Sequence, residues 1–314
     1  MGRVNFARTT MVGTGYYARI AVFPVRRVSK KRGAKRKPTT EVQAVLNLKN
    51  SERQLADEIH LNFTPDDDEV SLDYRDGTMP EGYEDAKRIM RNFIRRYKPV
   101  WSEITGKPAS EFKYIIVTEC SKKGRFHHHC IFSGGVDARK IQSVWQKGRT
   151  TTDPLKFDEN GLRGLTHYIV KQRLGYRRWV GSRNLKKPAP RQSDYRLTMK
   201  DLKYMNEHPE DVSFIEERFP GWKVSPRGVF SERIASEWRS AIGGLQEFPL
   251  SGNLRLKEAD GKEAKGMELM PFVQIQLYRE ECPYWERTKD GGILYKYGFG
   301  DGFRIPDIGF PERG

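Results

Sequence analysis

Cysteine is scarce in this chain of 314 residues, with Cys120, Cys130 and Cys282 the full complement, and histidine is little commoner at six. Three thiols, an odd number spread over so long a chain, suit a reducing cytosol better than a disulfide framework. Long apolar runs are missing too. None approaches the ~20 residues that a membrane-spanning helix needs, and "MGRVNFARTTMVGTG" lacks the apolar centre of a secretory signal. Its Met-Gly start carries Phe6 where a myristoylation signal wants Ser or Thr. The expectation is a soluble cytoplasmic protein that uses no membrane.

Negative charge is also in short supply. Lys and Arg number 57 against 41 Asp and Glu, a formal net charge of +16 that points to a polyanionic partner, nucleic acid or an anionic surface. Eight of the twelve residues in "RRVSKKRGAKRK", 26–37, are basic and none is acidic, which reads as a linker with an electrostatic role.

What is present alternates strand and helix. "YYARIAVFPV", 16–25, is rich in aromatic and β-branched residues and predicts a strand. A helical pattern follows in "TTEVQAVLNLKNSERQLADEIHLNF", then a break at "TPDDD" and a strand in "EVSLDYR", 69–75, with Val70, Leu72 and Tyr74 alternating against polar positions. "GYEDAKRIMRNFIRRYKPVW" spaces Ala86, Ile89, Met90, Phe93, Ile94 and Tyr97 by three and four, an amphipathic helix whose outer face carries Arg88, Arg91, Arg95 and Arg96. "EFKYIIVTEC" and "RFHHHCIF" flank the turn "SKKG" as a hairpin. Short helices are expected in "DARKIQSVWQKG", opening at Asp137, and in "GLTHYIVKQRLGY", with a basic loop in "RRWVGSRNLKKPAPR". Beyond these stand one helical pattern, "TMKDLKYMNEHPEDVSFIEERF", one strand, "PFVQIQLYRE", and a tail rich in glycine and aromatics. A hairpin among loosely alternating elements predicts an α+β fold, an antiparallel sheet with flanking helices.

Half of the histidines sit in one run, "GRFHHHCIF". Side chains of a strand alternate faces, so His127 and His129 share one and His128 and Cys130 the other. A hairpin register that sets Glu119 opposite His127 or His129 adds Glu119 to the first set and Cys120 to the second. Two imidazoles and a carboxylate suit Mn²⁺ or Mg²⁺ with open positions, whereas two thiolates and an imidazole suit zinc. Buried cysteine commonly packs as a small hydrophobe, and packing is the expected use of the second set. Tyr168 and Lys171 lie three apart on a predicted helix. A phenol is a weak nucleophile near neutral pH, but a neighbouring cation and ammonium make it a phosphoryl-transfer group.

These residues, in this order, resemble the HUH endonucleases, and among them the single-tyrosine rolling-circle replication initiators of plasmids and phages. "YIIVTE", "GRFHHHCIF", the Trp and Gly-Arg of "VWQKGR", "GLTHYIVKQ" and "SRNLKKP" are similar to replication-associated proteins of bacterial mobile elements, over residues 45–190. The resemblance implies an HUH, ferredoxin-like palm of about five antiparallel strands at 46–192. An N-terminal strand and basic linker at 1–45 would precede it, and a C-terminal accessory region at 193–314, with a possible strand for the same sheet, would follow. It implies His127, His129 and Glu119 as ligands of Mn²⁺ or Mg²⁺, Tyr168 as nucleophile and Lys171 as its helper. Gln172 at the fourth position after Tyr168 excludes a two-tyrosine arrangement. The implied activity is metal-dependent nicking and rejoining of single-stranded origin DNA through a 5′-phosphotyrosine, in a bacterial cytoplasm.

Eight Lys or Arg and no acid lie between Lys171 and Arg191, interleaved with Tyr176 and Trp179, a composition suited to a single-strand groove. Arg125, Arg173, Tyr176, Arg177, Arg178, Trp179, Arg183, Lys186 and Lys187 are the candidate DNA contacts. No "GxxxxGK" loop is present, so a host helicase and polymerase are the expected partners. The alternatives are a relaxase or transposase of the same chemistry, or a non-catalytic DNA-binding protein with zinc at Cys120, His128 and Cys130.

Overall fold

The structure, a computed structural model, describes residues 4–26, 41–170, 178–235, 269–300 and 303–306. All but the first residue of the basic run at 26–37 lies outside them, as do Lys171, Arg173, Tyr176 and Arg177. In chain order the elements are β1 (Val4–Thr14), β2 (Tyr17–Arg26), α1 (Glu41–Asn62), β3 (Asp68–Asp73), α2 (Tyr83–Thr105), β4 (Tyr114–Cys120), β5 (Phe126–Phe132), α3 (Ala138–Trp145), β6 (Thr150–Pro154), α4 (Arg163–Ile169), β7 (Trp179–Gly181), β8 (Arg191–Ser193), α5 (Met199–Glu207), α6 (Val212–Arg218), β9 (Trp222–Ala235), β10 (Leu269–Arg279), β11 (Trp285–Arg287) and β12 (Ile293–Tyr295). The fold is α+β with antiparallel sheets. Among the described residues no helix is long and apolar enough to cross a membrane.

The chain divides into two compact units. One comprises Met1–Asn50, Pro188–Cys282 and Pro306–Gly314; the other comprises Ser51–Lys187 and Pro283–Ile305. The first unit holds a five-stranded sheet in the order β8-β1-β2-β10-β9. Its core joins Ile20 and Val22 of β2 to Val273, Ile275 and Leu277 of β10, to Leu202 and Met205 of α5, to Ile215 of α6 and to Phe219 just beyond it. The helical pattern expected across 198–219 is two helices, because Pro209 falls in its middle. Thr198 and Asp201 form a capping box at the first, and Asp211 caps the second. β9 was not foreseen, since it carries Pro226 and Gly228. The register with β10 slips there, at Val224↔Leu277 and Val229↔Ile275, and a bulge accommodates both residues.

The second unit holds the histidines, in a five-stranded antiparallel sheet of order β6-β3-β5-β4-β7. The segment read as a basic loop contributes its edge: Trp179–Gly181 pairs with β4 at Val117, Ile116 and Ile115. One face is closed by α2 and α3. Val70, Leu72, Ile116, Cys130 and Phe132 meet Met90, Phe93, Tyr97, Trp101, Ile141 and Trp145 there. Asp137 caps α3 by accepting from the backbone N–H of Arg139 and Lys140, as its position in the sequence predicts. Phe93 is fully buried at the centre of this layer, its ring 5.4 Å from those of Tyr97 and Trp145 and 6.1 Å from that of Phe132. Phe93→Ala should therefore cost about 3–5 kcal/mol, read as a lowered denaturant midpoint for this unit with its secondary structure retained.

Candidate active site

The turn between β4 and β5 fixes what faces what. Ser121 N–H donates to the Arg125 carbonyl at 2.8 Å, Gly124 N–H to the Ser121 carbonyl at 2.9 Å, and Gly124 takes φ +77°, which a glycine adopts at no steric cost. The closure sets Glu119 opposite His127 and Val117 opposite His129. On the other side of β5, β3 places Asp73 opposite His127 and Ser71 opposite His129. Glu119, His127, His129, Ser71 and Asp73 consequently share one face of the sheet.

His127 Nε2 lies 3.2 Å from Glu119 Oε2, and His129 Nε2 lies 3.8 Å from the same oxygen. The two imidazoles stand nearly perpendicular with centroids 5.0 Å apart. One ligand atom from each of the three residues falls within 4.8 Å of the other two, a group that could hold a metal ion. Two observations fit that use. Glu119 Oε1 is buried and no hydrogen-bond donor among the described residues reaches it, and a buried carboxylate oxygen left so is costly unless something cationic occupies the space. Ser71 Oγ stands 3.3 Å from His129 Nδ1, a contact that holds the ring with Nε2 toward the other two residues. The hydrogen bond with Glu119 raises the His127 pKa above its ordinary value.

His128 does something different on the opposite face. Its Nε2 is 2.8 Å from the Tyr74 hydroxyl and its Nδ1 is 2.9 Å from Thr118 Oγ1, so both ring nitrogens are engaged inside the core. Burial lowers its pKa to about 3 and keeps it neutral. Cys130 is fully buried with its thiol pKa pushed up by desolvation. Cys120, His128 and Cys130 do share a face, as alternation requires, but His128 has no nitrogen to spare for zinc. Among the described residues the group with metal-ligand spacing is Glu119, His127 and His129.

Tyr168 arrives from α4. Its ring meets His129 edge-on at 5.6 Å, and it remains 57% exposed, within reach of a strand laid over the histidines. Thr166 and Ile169, buried on the same helix, set that orientation. The start of α4 is held from α1: His60 Nε2 accepts from Leu162 N–H at 2.8 Å, and Gly161, at φ +66°, passes so near that a Cβ would lie 2.3 Å from that nitrogen. Burial, seconded by the charge of Arg163, lowers the His60 pKa to about 3.

The expected DNA contacts are dispersed. Arg125 donates to Asp76 at 2.7 Å and to the Tyr74 carbonyl at 2.9 Å, tying the hairpin turn to the end of β3. Trp179 Nε1 donates to Glu58 at 3.3 Å, and Lys187 pairs with the same carboxylate. Arg183 and Lys186 are exposed and Arg178 is half-buried. Lys171, the expected helper of Tyr168, lies outside the described residues with Arg173, Tyr176 and Arg177. Ser71 and Asp73 were not singled out from sequence. Their alternation against Val70 and Leu72 was visible, but which histidine each would face depends on a pairing between strands more than fifty residues apart.

The chain can now be set beside known proteins. Residues 69–173 match the family model for replication-associated protein ORF2/G2P. The match begins in β3, takes in both strands of the β4–β5 hairpin and ends just past α4, so it covers every residue of the site. It supports a role in replication initiation and suggests a nuclease or nickase. No curated protein and no solved structure matches the chain.

Two outcomes are expected. In titrations with Mn²⁺, His127→Ala and His129→Ala should each weaken binding by at least tenfold to a hundredfold, whereas His128→Gln should leave affinity within about twofold and lower stability instead. The second concerns acid. A histidine whose folded pKa lies below its unfolded value stabilises fully above the unfolded pKa and loses that contribution as pH falls toward the folded one. For His60 the window runs from 6.5 down to about 3. Stability should decline there by at most about 1.4 kcal/mol per pH unit. Asp67 and Asp68, raised by burial to about 6 and about 7, act with the opposite sign in both proteins. The comparison with His60→Gln, which keeps an acceptor for Leu162 N–H, therefore isolates the histidine: the stability gap between the two proteins should narrow on acidification.

Proposed function

We propose that the second unit is a single-tyrosine HUH nickase that starts rolling-circle replication by cutting and rejoining single-stranded origin DNA. One observation carries the reading: an exposed tyrosine lies edge-on against a histidine of a two-imidazole, one-carboxylate group on the same sheet face. The replication-associated match spans both.

In this reading Glu119, His127 and His129 hold a divalent cation, Mn²⁺ or Mg²⁺, which when bound would withdraw charge from a non-bridging oxygen of the scissile phosphate. Tyr168 Oη attacks phosphorus, and the 3′-oxygen leaves. The phenolic proton is lost on one side of the reaction and a proton is gained by the departing 3′-oxygen on the other. The products are a 5′-phosphotyrosine and a free 3′-OH able to prime synthesis. Attack by a 3′-OH on that linkage restores the phosphodiester, and because the bond energy is kept in the phosphotyrosine no nucleotide is consumed. Ser71 orients His129, and His128 serves the core beneath. Lys171, three residues beyond Tyr168, is the ammonium assigned to the developing phenolate charge. The basic residues from Arg178 to Lys187 carry the strand's phosphates, and a host helicase and polymerase act on the nicked product.

The test is incubation with single-stranded DNA carrying the element's origin and Mn²⁺, followed by denaturing electrophoresis. A covalent protein–DNA band is expected from the native protein, lost in Tyr168→Phe by at least about a thousandfold in rate. A band that persists in Tyr168→Phe places the nucleophile elsewhere.

A further inference from the structure

The tail "YKYGFGDGFRIPDIGFPERG" and the stretch before it have no role in the chemistry above, yet Pro283–Ile305 belongs to the same compact unit as the site. Its contacts converge on one place. Between β6 and α4 the chain runs through residues 155–162, a loop whose regular pairing is limited to the bridge between Asp158 and Gly161. This loop carries the start of the helix that bears Tyr168. Leu155, Phe157, Glu159 and Leu162 are all buried within it.

On one side the loop is held by His60. On the other it is held by the tail. Arg287 clasps Glu159 at two points, Nε to Oε1 and Nη2 to Oε2, each at 2.5 Å. Glu159 is only 7% exposed, and a carboxylate that deep is costly unless a planar, two-pronged donor meets it. Tyr284, buried to 1%, sets its ring 4.8 Å from that of Phe157 and 5.3 and 5.8 Å from those of Phe299 and Phe303. The far end of the segment is tied by Asp66, which accepts from the backbone N–H groups of Gly298, Phe299 and Gly300 at 2.5, 2.6 and 3.2 Å.

We propose that Pro283–Ile305 is a positioning segment for the nucleophile: through Arg287 on Glu159 and Tyr284 on Phe157 it holds residues 155–162, and so sets the angle at which α4 brings Tyr168 to His129. The proposal rests on the assignment of Tyr168 as nucleophile. Arg287 touches neither strand nor reacting atoms and acts through the loop. A helix of seven residues has little rigidity of its own, so its direction is set by its anchors. Misplacing reacting atoms by ~1 Å costs on the order of a hundredfold in rate, and the loss falls on the chemical step while the surface that binds DNA stays as it was.

The experiment uses the full chain with Arg287→Met, which keeps bulk and removes charge, and Arg287→Lys, which keeps charge. Two readouts are taken: single-turnover cleavage of an origin oligonucleotide at saturating DNA, and amide hydrogen exchange over residues 155–170 and over the β4–β5 hairpin. Arg287→Met should cleave about tenfold to a hundredfold more slowly with an unchanged DNA dissociation constant, and should exchange faster over 155–170 but not in the hairpin. Arg287→Lys, which keeps the charge but loses the two-pronged fork, should recover only part of both. Native rate and native exchange in Arg287→Met would overturn the proposal, as would faster exchange spread across the hairpin, the mark of general destabilisation. If the native protein leaves single-stranded DNA uncut, the nucleophile assignment fails, and the exchange over 155–170 alone decides whether the segment holds the loop.

Discussion

The site depends on the pairing of Glu119 with His127 across the β4–β5 hairpin. A slip of one residue would turn Glu119 away from the two imidazoles and put Thr118 in its place, because side chains alternate with a period of two. The register is held at both ends. The turn at Ser121–Gly124 closes one end with backbone hydrogen bonds. The packed face closes the other, since Ile116 and Cys130 belong to the core under α2, and the slip would turn Ile116 out of that core. The apolar layer is thus what keeps a polar trio together on the far side of the sheet.

His128 shows how this constraint is met between two histidines of the candidate site. A third histidine in the strand has to point into the core, where an ordinary hydrophobe would be expected. The Tyr74 and Thr118 hydroxyls take up both ring nitrogens, and Trp145 and Tyr74 pack around the ring. Buried polar groups are tolerated when fully satisfied, and a network of this kind also resists slippage, because a shift would leave every member without its partner.

Much of the site was legible in the sequence and less of the fold. Alternation along "RFHHHCIF" divides the three histidines without any structure, and hairpin pairing supplies Glu119, because both arguments are local. The α2 helix and the Asp137 cap were readable for the same reason. Ser71 and Asp73 were not, since the partner of β3 is chosen by tertiary packing. The first unit was the least visible part: β1 and β9 mix Thr, Arg, Pro and Gly into their strands, and although β1 forms a hairpin with β2, its other neighbour β8 lies more than 170 residues away and β9 pairs with β10 across the stretch 236–268. His60 is the clearest omission. A lone histidine in an amphipathic helix gives no sign that it will accept a hydrogen bond from the residue that starts α4, and only the glycine beside it, Gly161, marks a close approach.

Charge completes the picture, because the chain as a whole and the site have opposite signs. A net charge of +16 draws a polyanion toward the molecule, raising encounter rates through long-range attraction that salt weakens. At the sheet face beside Tyr168, however, the acidic groups among the described residues include Glu119 and, across from His127, Asp73. On the proposed reading a phosphodiester would be brought close to these carboxylates, and like charges a few ångströms apart in a partly buried setting repel. A local positive charge relieves that repulsion. Protonated histidine supplies one, but a proton on either imidazole occupies the nitrogen that a divalent cation would use. A divalent cation held by Glu119, His127 and His129 would offset the carboxylate charge of the face, and on the proposed reading the rest of the surface would guide the strand. On the proposed reading, drawing a strand in and cutting it would rest on different residues: the first on the Lys and Arg of the surface, the second on Glu119, His127 and His129, whose own carboxylate opposes a phosphate until a cation offsets it.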